Sequence, residues 1–105
     1  EVVYRRGSKS VTVIASVGHT ELDSITDDGS TTSYQSRDFK FTRSDLDGLM
    51  DNGREFEPEP GDRIIEPMPI GPDAVYEPMP MPGGQRWRWS DPNRTIIRVH
   101  TKRIQ

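Results

Sequence analysis

The chain has 105 residues, of which 30% are hydrophobic and 30% are charged, and its formal net charge is −3. Ordinary globular domains are about 45–50% apolar when glycine is counted, so this composition allows one domain with a small core. The chain has no cysteine, which excludes disulfides, thiolate metal ligands and thiol nucleophiles. No apolar run approaches the roughly 18 residues of a transmembrane helix, and no basic-then-apolar opening suggests a signal peptide. We therefore expect a soluble protein without membrane contacts.

Charge is segregated along the sequence. Residues 45–77 carry ten acids and two bases, which is a block of −8, whereas residues 86–105 carry six bases and one acid, which is a block of +5. A molecule with one acidic and one basic surface can bind its own copies head to tail, and such contacts can close into rings. Two separately solvated faces would give the same composition. The candidate acidic surface comprises Asp45, Asp47, Glu57, Glu59 and Asp62.

The first half of the chain predicts two strands. Apolar and polar residues alternate over 11–17 and again over 34–41, a pattern typical of half-buried strands. Between them, residues 19–33 are rich in Thr, Ser, Asp and Gly, which predicts a loop or hairpin tip with a turn at 27–29. Alternation on the second strand separates two faces, one with Arg37, Phe39 and Phe41 and the other with Tyr34, Ser36, Asp38 and Lys40.

Residues 42–50 predict one or two helical turns, because a Ser or Thr N-cap candidate precedes acids in the first turn, and Leu46, Leu49 and Met50 follow helical spacing. A proline-spaced acidic connector follows over 55–60. Residues 61–66 predict a turn that leads into a short strand, which ends at Pro67, and another strand is predicted at about 74–77.

A Glu-Pro-Met-Pro motif occurs at 66–69 and again at 77–80, directly after each of these two strands. One interpretation is a proline-rich ligand segment in polyproline II form. We favour the other, in which the prolines end two adjacent strands and keep their edges from pairing.

The last twenty residues predict a β-hairpin. The turn is expected at 91–94, because Pro92 presets its own φ and the side chains of Asp91 and Asn93 can bond the nearby backbone. On the second arm, Ile97, Val99 and Thr101 point to one side. The other side carries Arg94, Ile96, Arg98, His100 and Lys102. We predict a long loop over 85–92, in addition to the one over 19–33.

These elements predict a single mainly β domain over 1–105. It has about six short strands, long loops and one short helix, arranged as a small β-barrel or sandwich. Long loops in a chain of this size are often binding elements.

The sequence offers no pattern for catalysis. His19 and His100 lack metal-ligand spacing, and the acids at 45–51 lack the glycine and closing glutamate of a calcium loop. There is no Ser-His-Asp arrangement, phosphate-binding glycine loop or nucleophile elbow. We expect no enzymatic activity, no metal and no cofactor.

Trp87 and Trp89 alternate with Arg86 and Arg88, which is the one pattern typical of nucleic-acid binding, since aromatic rings stack bases and arginine binds phosphate. In the alternative, the indoles close one end of the core and the arginine stems cover them. We favour packing. A single-stranded nucleic-acid-binding small β-barrel remains an alternative function.

Several motifs together resemble a known family. They are Ser36-Arg37-Asp38-Phe39, Asp45-Leu46, Pro60-Gly61-Asp62-Arg63-Ile64, Val75-Tyr76-Glu77, Trp89-Ser90-Asp91-Pro92-x-Arg94-Thr95 and Arg98-x-His100-Thr101-Lys102. Over about two thirds of the chain, from Ser36 on, they resemble the small head-tail joining proteins of tailed bacteriophages and prophages. The Pro-Met-Pro-Ile segment at 67–70 departs from that pattern.

The resemblance implies a non-enzymatic virion protein made in the bacterial cytoplasm. It implies a head-completion or stopper ring of six or twelve copies in the phage neck, between the portal or adaptor and the tail-completion proteins, around the DNA channel. A tail terminator or tail-completion ring is the neighbouring alternative. In either ring, Arg94, Arg98, His100 and Lys102 are candidates for the subunit interface or the channel wall.

Overall fold

The computed structural model describes residues 1–25, 29, 31–50, 55–80 and 85–105. These residues form one antiparallel eight-stranded sheet, curled into a half-barrel, and one short 3₁₀ helix. The strands are β1 Val2–Arg6, β2 Lys9–Val13, β3 Ser16–Ile25, β4 Thr31–Thr42, β5 Arg63–Glu66, β6 Ala74–Pro78, β7 Trp87–Trp89 and β8 Ile96–Arg103, and the helix is Arg43–Leu49. Their order across the sheet is β2-β1-β5-β6-β8-β4-β3, with β7 also paired to β8. The predicted mainly β fold is confirmed.

Strand β8 joins the two halves of the sheet. One of its edges pairs with β4 along residues 96–101, and the other edge is shared by β7 along 97–99 and by β6 along 101–103. His100 lies at the junction, where its N–H donates to the Arg86 carbonyl at 2.8 Å and its carbonyl accepts from the Met79 N–H at 2.9 Å. Three strands therefore depend on β8 for their position.

The hydrophobic core covers one face of the curled sheet. The predicted inward side of β8 is confirmed, since Ile97, Val99 and Thr101 are all fully buried. Edge-to-face aromatic contacts connect distant parts of the chain, and their ring centroids are 5.0 Å apart for Tyr4 and Phe56 and 5.2 Å apart for Phe39 and Tyr76. The other buried apolar residues are Val2, Val13, Phe41, Leu46, Leu49, Ile64 and Ala74.

The predicted helical turns are confirmed as the 3₁₀ helix, which buries Leu46 and Leu49. Thr42 occupies the N-cap position, but its side chain makes no capping hydrogen bond. No helix within the described residues is long and apolar enough to cross a membrane.

The strand predicted over 11–17 is two strands with a break at Ile14 and Ala15. Strand β2 pairs with β1, whereas β3 pairs with β4, and these pairs lie at opposite ends of the sheet order. The chain must therefore turn between them, and Ile14 is left 77% exposed. This break and the unpredicted strand β1 both raise the number of strands above the six or so that the sequence predicts.

The prediction of a loop or hairpin tip over 19–33 is confirmed in its hairpin form, because β3 and β4 stay paired as far as Ile25 and Thr31. The loop alternative is wrong for 19–25 and 31–33. From Ser36 toward the tip of the hairpin, β4 has no partner other than β3 among the described strands. The sequence of 19–33 is rich in Thr, Ser, Asp and Gly and lacks the apolar alternation that identifies a strand. The radius of gyration of 14.7 Å exceeds the roughly 13 Å typical of this length, as such an extension requires. Of the predicted turn at 27–29, residues 27 and 28 lie outside the described residues.

The predicted hairpin at the C-terminal end is confirmed. Asp91 accepts hydrogen bonds from the backbone N–H groups of Thr95 and Ile96, both at 2.9 Å, as its turn chemistry suggested. The loop predicted over 85–92 is wrong at 87–89, because these residues form β7. The two Glu-Pro-Met-Pro motifs lie at the ends of the adjacent strands β5 and β6, as the strand-ending interpretation requires. Pro78 nevertheless belongs to β6 and is paired with Thr101, so it does not keep that edge from pairing.

Neighbouring isoleucines on β8 test the assigned faces. Replacing the fully buried Ile97 by alanine leaves a cavity, and we expect a loss of about 2–5 kcal/mol in the free energy of unfolding. The matched control Ile96→Ala changes a partly exposed side chain and is expected to cost less than about 1 kcal/mol. Urea unfolding followed by circular dichroism measures both. Equal losses would contradict the assigned faces.

Candidate functional site on the polar face of the sheet

A polar face lies on the side of the sheet opposite the core. Directly opposed residues of antiparallel strands point to the same side, so the pairing of Lys40 with Arg98 and of Arg98 with Arg88 forms a row of three cations across β4, β8 and β7. Asp38 and His100 form the neighbouring row. We define the polar face as Gly18, Thr20, Ser36, Asp38, Lys40, Arg88, Arg98, His100 and Lys102.

The structure brings together three of the four predicted basic candidates. Arg98, His100 and Lys102 share the polar face, whereas Arg94 lies in the turn before β8, with a positive φ of 57° and an exposed side chain. Sequence reasoning missed Lys40 and Arg88, because only the strand register shows that they flank Arg98.

Asp38 lies at the centre of the polar face and is fully buried. Its carboxylate accepts hydrogen bonds from the hydroxyls of Thr20 and Ser36, from Nε of Arg98, and from Nδ1 of His100 at 3.0 Å. A buried charge is costly unless it is paired and hydrogen-bonded, and here donors from β3, β4 and β8 meet this need. The alternation along β4 placed Asp38 on the side opposite the core. It gave no indication that neighbouring polar side chains bury Asp38 there.

Arg98 extends this cluster onto β3. Its Nη2 donates to the carbonyl of His19 at 2.9 Å, and the guanidinium lies over Gly18, where a Cβ atom would come within 3.2 Å of it. The Arg98 side chain is 18% exposed and that of His100 is 6% exposed. The side chains of Arg98 and His100 therefore make their polar contacts within the chain. Lys102 remains outward, with its side chain 57% exposed and its Nζ 3.4 Å from Glu77.

Two opposing effects set the pKa of Asp38. Burial raises it, and the hydrogen bonds from Ser36, Thr20, His100 and Arg98 lower it. The hydrogen bonds prevail, so the pKa of Asp38 lies below its ordinary value of 3.8. The carboxylate is therefore ionised at neutral pH and holds Arg98 by charge as well as by hydrogen bonding.

The predicted acids divide into four exposed residues and one buried residue. Asp45 and Asp47 are exposed on the 3₁₀ helix, and Glu57 and Glu59 are exposed on the predicted connector. We extend that connector from 55–60 to residues 55–62 and call it the acidic connector. Asp62, in contrast, is buried at the end of the connector.

An internal ion pair fixes the acidic connector to β1. Asp62 accepts hydrogen bonds from the Tyr4 hydroxyl at 2.6 Å and from Nε and Nη2 of Arg6 at 2.9 and 2.7 Å. Arg6 also donates to the carbonyl of Glu57 at 2.6 Å. Burial, together with the neighbouring Asp62 carboxylate, raises the pKa of Tyr4, so this phenol stays protonated and donates.

An open cavity of about 430 Å³ lies beside β7, and we call it the Trp cleft. Its lining residues are Pro58, Gln85, Arg86, Trp87, Arg88 and Trp89. The two indoles meet edge to face, with their centroids 5.5 Å apart, and both pack against the hydrophobic core. These contacts agree with the packing interpretation of the tryptophans, while one side of each ring still borders the cleft.

Comparison with known proteins identifies one family. A family model described as phage head-tail joining protein matches residues 1–105, the whole chain. Searches among curated proteins and among solved structures found no match.

Neutralising Asp38 tests the cluster on the polar face. Asp38→Asn leaves Arg98 and His100 without their anion, and we expect a loss of about 3 kcal/mol in the free energy of unfolding at pH 7. The control Asp45→Asn changes an exposed acid and is expected to have little effect. Because folding lowers the pKa of Asp38, its stabilisation is present above about pH 4 and is lost as pH falls through the folded pKa. The stability gap between wild type and Asp38→Asn should therefore narrow below pH 4, and a gap independent of pH would contradict the assigned ionisation.

Proposed function

Because the chain belongs to the phage head-tail joining protein family, we propose that it is a head-completion, or stopper, subunit of the phage neck. Copies form a ring that joins the portal or adaptor to the tail-completion proteins and helps to retain packaged DNA. The family match over residues 1–105 carries this proposal, since the family consists of structural proteins at the head-tail interface that contact other head and tail proteins.

The distribution of charge supports a ring of copies. Exposed cations lie on the polar face and in the turn before β8, and exposed acids lie on the 3₁₀ helix and the acidic connector. These surfaces are formed by different parts of the chain, so the basic surface of one copy can meet the acidic surface of the next. A contact between two unlike surfaces is heterologous, and it closes into a ring when the rotation between copies permits.

The buried ion pairs divide the predicted residues into two roles. Lys102 and Arg94 are exposed and provide charge for the subunit contact or the channel wall, as do Lys40 and Arg88 where the face is open. Arg98 and His100 are positioning residues, because they bind Asp38 and set the path of β8. In the same way, Asp62 and Arg6 hold the acidic connector in place and so position Glu57 and Glu59.

Contact with DNA is confined to cations that do not meet a neighbouring copy. Exposed lysine and arginine side chains bind the phosphate backbone without regard to base sequence, which suits a passage through which any DNA must move. The chain as a whole has a net charge of −3. DNA is therefore attracted by a local basic surface and not by the overall charge of the protein.

Particles produced without this chain test the stopper role. A stopper closes the head, so its loss should yield tailless heads that have lost their DNA, as seen by electron microscopy and by nuclease sensitivity of the DNA. Heads that remain full of DNA, beside separate tails of abnormal length, would instead indicate a tail terminator and would contradict the proposal.

Charge reversal tests the subunit contact. Arg94→Glu with Lys102→Glu should weaken self-association of the full chain by about tenfold or more, which corresponds to about 1.4 kcal/mol. Sedimentation velocity at low and at high salt measures this effect, because salt screens exposed charges. Adding Glu57→Lys and Glu59→Lys to the reversed chain should restore assembly.

The matched control is Arg5→Glu, which reverses an exposed charge on β1, outside both surfaces. It should leave assembly unchanged, while circular dichroism verifies that every variant is folded. Undiminished assembly of the doubly reversed chain would exclude these charges from the subunit contact.

A further inference from the structure

We propose that the Trp cleft of one copy binds the loop 67–73 of a second copy, with Ile70 as the side chain that enters the cleft. This inference rests on the proposed function, because it requires copies that lie side by side. It adds the residues that make the contact, which the charge pattern alone does not specify.

The Trp cleft has the chemistry of a binding site for an aliphatic, proline-bearing loop. Aromatic rings that line a groove are a common means of binding proline-rich segments, and Trp and Arg are enriched where protein interfaces gain most of their binding energy.

The loop 67–73 presents a matching side chain in a fixed conformation. Ile70 is 91% exposed, the largest value among the exposed large hydrophobic residues of the described chain. Pro69 and Pro72 restrict the backbone on both sides of it, and Gly71 adopts a positive φ of 85° that forms the turn. A loop already restricted in this way loses little conformational entropy on binding.

Within one chain, the loop 67–73 and the Trp cleft lie at different positions along β8. The strand that follows the loop, β6, bonds to the end of the chain, where the Val75 N–H donates to the Gln105 carbonyl at 3.0 Å, whereas Trp87 of the cleft is opposite Val99. Six residues of extended strand span about 20 Å, and Met68 of the loop packs against the core of its own chain. The occupant proposed for the cleft is therefore a second copy.

Charge favours the same pairing. Arg86 and Arg88 border the cleft, and an exposed acid, Asp73, ends the loop. Since the cleft and the loop are different surfaces, a copy bound through its cleft still has its loop available for the next copy. This is the repeating contact that a ring requires.

Cysteine cross-linking tests the contact directly, because the natural chain contains no cysteine. The full-length variants Ile70→Cys and Gln85→Cys are mixed, oxidised and separated on a non-reducing gel. A disulfide forms only where the two Cα atoms come within about 4.4–6.8 Å, so we expect a cross-linked dimer at least tenfold more abundant than with the control pair Ile14→Cys and Gln85→Cys. Ile14 is a suitable control because it is also highly exposed, at 77%.

Tryptophan fluorescence provides a second measurement. Trp87 and Trp89 are the only two tryptophans of the chain, so filling the cleft should shift their emission to shorter wavelength as protein concentration rises. Ile70→Glu should abolish this shift, whereas Ile14→Glu should retain it.

The outcomes separate this inference from the proposed function. Rings that form without the Ile70–Gln85 cross-link and without the fluorescence shift would overturn the inference and leave the ring proposal intact. A chain that stays monomeric both alone and in phage particles that carry it would overturn both. A cross-link as abundant in the Ile14 control would also overturn the inference.

Discussion

The buried carboxylate of Asp38 is the interaction on which the polar side of this molecule depends. It is fully buried among donors from β3, β4 and β8, and a charge in that position is tolerated only while those donors are in place. It therefore fixes the long hairpin to the central strand. It also determines which cations face outward, because Arg98 and His100 turn toward it while Lys102 does not.

A second buried carboxylate, Asp62, has the corresponding role for the acidic connector. With Arg6 and Tyr4 it holds a proline-rich segment that has few apolar side chains of its own. Each of the two oppositely charged surfaces is thus anchored by one internal arginine–aspartate pair. Surfaces held in place before assembly lose less entropy when copies meet. In a chain with so small a core, internal ion pairs supply the order that apolar packing supplies in larger domains.

How much the sequence could predict depended on whether a pattern was local. The alternation along β8 correctly predicted the burial of Ile97 and Val99, and helical spacing correctly predicted the burial of Leu46 and Leu49. The cluster around Asp38 could not be predicted, because its hydrogen bonds join residues up to 79 positions apart through a register that no local pattern contains. Over 19–33 the sequence did not distinguish a loop from a hairpin, because its residues, rich in Thr, Ser, Asp and Gly, have no apolar alternation.

If this chain acts as one of several identical copies in the phage neck, its ring should be visible in intact particles. We expect a cryo-electron microscopy reconstruction of the head-tail junction to contain a closed ring of this fold between the head and the tail, with the loop 67–73 of each copy against β7 of its neighbour. A neck without this chain, or one in which its copies do not touch, would exclude such a ring.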